Sequence, residues 1–70
     1  MTLRDAIEGK EYIVKQVCTN DVEVDAFLFS LGCYEGEPVA VISRQKNGCI
    51  IALKGSRYSI DNPLANAILV

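Results

Sequence analysis

Apolar residues alternate with polar ones over most of the chain, and one stretch changes to helical spacing. From Val22 the apolar positions Val24, Phe27, Leu28 and Leu31 fall on one face when each residue advances about 100°. Thr19, Asn20 and Asp21 supply three successive capping residues ahead of them, and Glu23 stands three after Asn20 as in a capping box. Gly32 follows Leu31 where a helix end calls for positive φ. The pattern predicts a helix over about 22–31, and Gly36 and Pro38 then release the chain into an extended run.

Around this helix the period is two. Glu11 to Cys18 reads as a strand through Tyr12, Ile13, Val14 and Val17. Tyr12 and Val14 are two apart but Val17 comes three later, so a bulge or sharp bend is expected near Lys15-Gln16. Pro38 to Gln45 is the next strand, with Val39, Val41 and Ser43 on one side and Ala40 and Ile42 on the other. Asn47-Gly48 is a strong hairpin signal, leading to strands at Cys49 to Lys54 and Arg57 to Ile60. Near the ends, Thr2 to Glu8 forms a helical turn whose Leu3 and Ile7 plug the fold. Asp61 or Asn62 caps a last helical turn with Pro63 at its start. The apolar tail Ile68-Leu69-Val70 pairs beside the first strand. Short strands joined by tight turns predict a mainly β protein, a small antiparallel β-barrel with one inserted helix.

Seventy residues allow one domain at most, spanning 1–70, and half of them are apolar, which is enough for a compact core. The net charge of −2 and the scattered lysines and arginines argue against a nucleic-acid partner, which needs a basic face. No apolar run approaches the roughly 20 residues of a membrane span, and residues 1–20 lack the apolar centre of a secretory signal. The expectation is a cytoplasmic protein with reduced thiols.

Candidate chemistry is sparse. There is no histidine, and no nucleophile stands beside a base, so no catalytic residue is assigned and an enzyme is not expected. Cys18, Cys33 and Cys49 have no finger or ribbon spacing and are read as buried packing residues, with no metal or cofactor assigned. The acidic groups Asp21/Glu23/Asp25 and Glu35/Glu37 are read as solvated surface charges. A more informative feature is a second apolar stripe on the helix, Val22, Ala26 and Phe29. With Ile50 and Ala52 on the outer side of a strand, these residues are candidates for facing a partner. Two apolar faces on one helix also fit self-association.

The ordered set Thr2-Leu3-Arg4-Asp5, Gly9, Leu28-x-x-Leu31-Gly32-x-x-x-Gly36, Val39-x-Val41, Ile51-x-Leu53-x-Gly55, Tyr58-x-Ile60, Ala65 and Ile68-x-Val70 resembles the FeoA family. The resemblance implies an SH3-like barrel with an inserted helix. It also implies a non-enzymatic accessory protein of bacterial ferrous iron uptake, whose partner is the cytoplasmic GTP-binding domain of the FeoB transporter. Family members often carry bases before the Leu-Gly, where this chain has Asp25, Ala26 and Phe27. The alternative from the same resemblance is a metal-responsive module, because iron-dependent repressors end in a similar domain.

Overall fold

A computed structural model describes residues 1–70. The elements run β1 (Glu11–Ile13), β2 (Gln16–Val17), α1 (Val22–Leu31), β3 (Pro38–Gln45), β4 (Gly48–Leu53), β5 (Ser56–Asp61), α2 (Asn62–Ala67) and β6 (Ile68–Leu69). The fold is mainly β, and α1 keeps the bounds that its apolar spacing predicts. The strands do not close into one barrel. They form an antiparallel sheet in the order β1-β3-β4-β5 and a separate ribbon of β2 with β6. Because α2 takes up the step after β5, the chain crosses to β2 rather than running on beside β1.

The expected bend in the first strand is the point where the chain changes sheets. The Val14 N–H donates to the Glu37 carbonyl (2.9 Å), beside β3, whereas the Lys15 N–H donates to the Leu69 carbonyl (2.7 Å) in the ribbon. Val14 points inward and is buried, and Val17 packs against the core from the ribbon. The tail pairs as expected, with Gln16 opposite Leu69 and Val17 opposite Ile68.

A bulge in β3 changes which side chains face inward. Val41 pairs with Ile51, but Ser43 pairs with Ile50 and Arg44 with Cys49, so Ile42 is the extra residue. Directly paired residues share a face. Ser43 therefore lies on the outer side with Ile50, not beside Val39 and Val41 as simple alternation predicts. Arg44 turns inward beside the buried Cys49, and its Nη2 donates to the carbonyls of Leu3 and Ala6, each at 2.6 Å. Its backbone N–H donates to the Glu8 carboxylate (2.7 Å). One arginine thus ties the N-terminal segment to the sheet.

That segment turns as expected, with the Asp5 N–H donating to the Thr2 carbonyl (3.0 Å) and the Ala6 N–H to the Leu3 carbonyl (3.3 Å). Leu3 and Ala6 are buried but Ile7, expected to help plug the fold, is 63% exposed. Its N–H donates to the Tyr12 hydroxyl (3.0 Å), which fixes the backbone there and leaves the side chain outside. At the next hairpin Gly48 is buried where a Cβ would lie 2.0 Å from the Ile60 carbonyl oxygen. No other residue fits so close to β5. The core is built on Val39, Val41, Cys49, Ile51, Leu53 and Ile60 from the sheet, joined by Leu3, Ala6, Val14, Leu28, Cys33, Ala65, Ile68 and Val70.

Candidate docking surface

Helix α1 rests on the core by a narrow stripe. Leu28 is its one fully buried residue, and Val24 and Leu31 are half-buried against the core. Asp21, rather than Asn20, is the N-cap: its carboxylate accepts from the N–H groups of Glu23 (2.9 Å) and Val24 (3.3 Å). At the other end Gly32 adopts φ +94°, the Gly32 N–H donates to the Phe29 carbonyl and the Cys33 N–H donates to the Leu28 carbonyl.

The rest of the helix faces outward. Val22 is 82% exposed, Phe29 65%, and Ala26 is exposed as well. Phe27, expected on the inward face, is 55% exposed. The inward stripe at i, i+4 and i+7 is filled by Val24, Leu28 and Leu31, so Phe27 leans over a groove toward α2. That groove, of about 420 Å³, is lined by Cys18, Val24, Phe27, Pro63, Leu64 and Ala67 among others. Ile50 and Ala52 are half-buried on β4, where the inward side chains are Cys49, Ile51 and Leu53. They therefore lie on the face of the sheet opposite the core and α1, and the five partner-facing candidates form two separate surfaces. Ala52 sits in a row across the sheet from Glu11 through Ala40 to Arg57.

Around Phe29 the structure assembles groups that are scattered in the sequence. Phe29 and Tyr34 have ring centroids 4.9 Å apart and tilted by 34°. The Lys54 ammonium lies 5.4 Å from the centre of the Tyr34 ring and 3.0 Å from the Glu37 carboxylate. Glu37 and then Tyr34 hold that ammonium above the usual lysine range. A hollow of about 240 Å³ beside Phe29 is lined by Gln16, Val17, Cys33 and Tyr34, and by the acids Asp25 and Glu35. Thr19 Oγ1 donates to the Asp25 carboxylate. Glu35 and Glu37 therefore take different roles despite standing two apart. The sequence does carry a signal for the aromatic pair: Tyr34 follows the helix-stopping glycine closely enough to fold back on the last turn.

The thiols stay apart, and no three histidine, cysteine or acidic side chains group to hold a metal ion. Cys33 and Cys49 are buried as expected, but Cys18 is exposed on the rim of the α1–α2 groove. Burial pushes the Cys33 thiol up to about 11. Burial also raises Cys49, opposed by the positive charge of Arg44.

A mainly β frame of this topology, with one helix inserted before its long hairpin, defines the chain as an SH3-like domain. A family model, the FeoA domain, matches residues 1–70, and the chain belongs to this family, which is associated with ferrous iron transport. Among solved structures, an iron uptake regulatory protein (FeoA) is 25% identical. It aligns over 97% of this chain and 91% of its own, with a TM-score of 0.85. Stenotrophomonas maltophilia FeoA complexed with zinc is 19% identical over 100% of this chain and 88% of its own, with a TM-score of 0.87. A manganese-dependent transcriptional repressor is 18% identical, with a TM-score of 0.86 over 97% of this chain but only 39% of the repressor. The last two likenesses show the fold. No curated protein matches the chain.

Proposed function

We propose that the protein is a non-enzymatic, cytoplasmic accessory protein of bacterial ferrous iron uptake. It docks on the cytoplasmic GTP-binding domain of a FeoB-type transporter. Family membership supports the pathway. The exposure of Val22 and Phe29 on a helix whose opposite stripe is already seated is the observation that carries the docking role. An apolar face of this kind on a rigid frame suits binding to another protein. Val22, Ala26 and Phe29 form the contact. Ile50 and Ala52, on the far side of the sheet, are not part of it and remain available to a second contact.

The test is capture of the transporter's purified cytosolic domain on the immobilised chain, with and without GTP. The wild-type chain retains the domain, and Phe29→Asp does not while keeping its circular dichroism spectrum and melting temperature. Equal retention by both, or by neither, rejects the reading.

A further inference from the structure

The hollow beside Phe29 combines an apolar and aromatic lining with two acids, and the one base near it, Lys54, is already paired with Glu37. Val17, Phe29, Cys33 and Tyr34 line it together with Asp25, Glu35 and the neutral Gln16. Neither acid is in an ion pair, since the chain's one such pair joins Lys54 to Glu37. Asp21 and Glu23 extend the negative charge along α1, whose sequence VEVDAFLFSL contains no lysine or arginine. At about 240 Å³ the hollow falls below the roughly 300–1,000 Å³ of small-molecule sites. It is the size of an anchor for a single side chain.

We propose that this hollow receives an arginine side chain of the protein that docks on α1. The inference rests on the reading of α1 as the docking face. A guanidinium stacks on aromatic rings and pairs with carboxylates from the edges of its plane, and Phe29, Tyr34, Asp25 and Glu35 offer both kinds of contact. The tip of Lys54 over the Tyr34 ring is an example of such a cation–ring approach within the same cluster. The arginine's methylenes lie against Val17 and Phe29. A second copy of the chain is a poor occupant, because its own α1 face would set acids against acids at a cost in affinity.

Two measurements on the full chain test this. In the first, the isotope-labelled protein is titrated with the blocked tripeptide acetyl-Leu-Arg-Leu-amide and with its citrulline analogue, which is nearly the same shape but uncharged. The arginine peptide is expected to shift the resonances of Asp25, Phe29, Tyr34 and Glu35. The citrulline peptide leaves them in place, and in an Asp25→Asn/Glu35→Gln variant the arginine peptide leaves Phe29 and Tyr34 in place. In the second, the transporter's cytosolic domain is expected to bind that variant roughly tenfold more weakly than wild type at low salt, with the gap closing at high salt. Shifts scattered elsewhere, or equal shifts from both peptides, overturn the proposal. So does domain binding that is indifferent to the double substitution, although the docking reading then survives. If the domain does not bind while the arginine peptide shifts the named residues, the hollow is an arginine receptor and the transporter reading falls. Failure in both measurements rejects both.

Discussion

Lys54 lies across Gly32: a Cβ added to that glycine would sit 2.5 Å from the lysine Cγ. Glu37 and the Tyr34 ring hold the lysine in place, so the stop of α1 is pinned under the turn between β4 and β5. Gly32→Ala combines a left-handed backbone with this collision and is expected to cost about 1–3 kcal/mol in urea unfolding. The cost should shrink in a Lys54→Ala background, where the side chain no longer crosses the site. Equal costs in both backgrounds would trace the whole effect to the backbone angle.

Leu28 and Phe29 are neighbours with opposite surroundings. Leu28→Ala opens a cavity in the core and is expected to cost about 3 kcal/mol. Phe29→Ala loses little beyond its stacking on Tyr34, about 1 kcal/mol or less. Denaturant midpoints of the two variants separate these outcomes. A loss at Phe29 as large as that at Leu28 would place the ring in the core.

The thiols should differ in reactivity. Cys18 is exposed and alkylates first with iodoacetamide at neutral pH, and Cys33 and Cys49 react only as the protein opens. For Cys33 the folded protein holds the proton up to about 11, above the ordinary 9.0. Between these values the unfolded chain releases a proton that the folded chain keeps, which favours unfolding. Stability is therefore flat in this group below pH 9 and falls as pH rises toward about 11. A Cys33→Ala variant should lose that part of the alkaline decline.

Arg44 joins Leu3, Ala6 and Glu8 to the sheet through three hydrogen bonds. The bond to Glu8 uses its backbone and survives substitution. Arg44→Met removes the two charge-assisted bonds and is expected to cost about 2 kcal/mol. Amide exchange should rise first over residues 2–9, ahead of the sheet.

The same arginine shows where sequence reading stops. The helix bounds, the Asn47-Gly48 hairpin, the bend after Val14 and the pairing of the tail were all legible, because each depends on local spacing or on a turn residue. The flip of Ser43 and Arg44 was not. Ile42-Ser43-Arg44 continues an unbroken alternation, and the bulge is decided by what β3 meets on either side. Ile7 and Phe27 stand outside the core for a related reason: spacing identifies an apolar stripe but not its width. The candidate site was half legible. Val22 and Phe29 follow from the helix, but Asp25, Phe29, Tyr34 and Glu35 meet only once Gly32 turns the chain back beside its own last turn.

The first and last residues are bonded to each other. The Val70 N–H donates to the Met1 carbonyl (3.0 Å), the Leu3 N–H donates to the Ile68 carbonyl (3.1 Å), and Thr2 bridges Leu69. These contacts span nearly every residue in between and join the slowest class of contact to form. The hairpins can close from local contacts, yet the ribbon and the first turn are completed only when residues 68–70 come back to them. Deleting residues 68–70 should therefore leave Leu3, Val14 and Val17 uncovered and prone to aggregation or capture by chaperones.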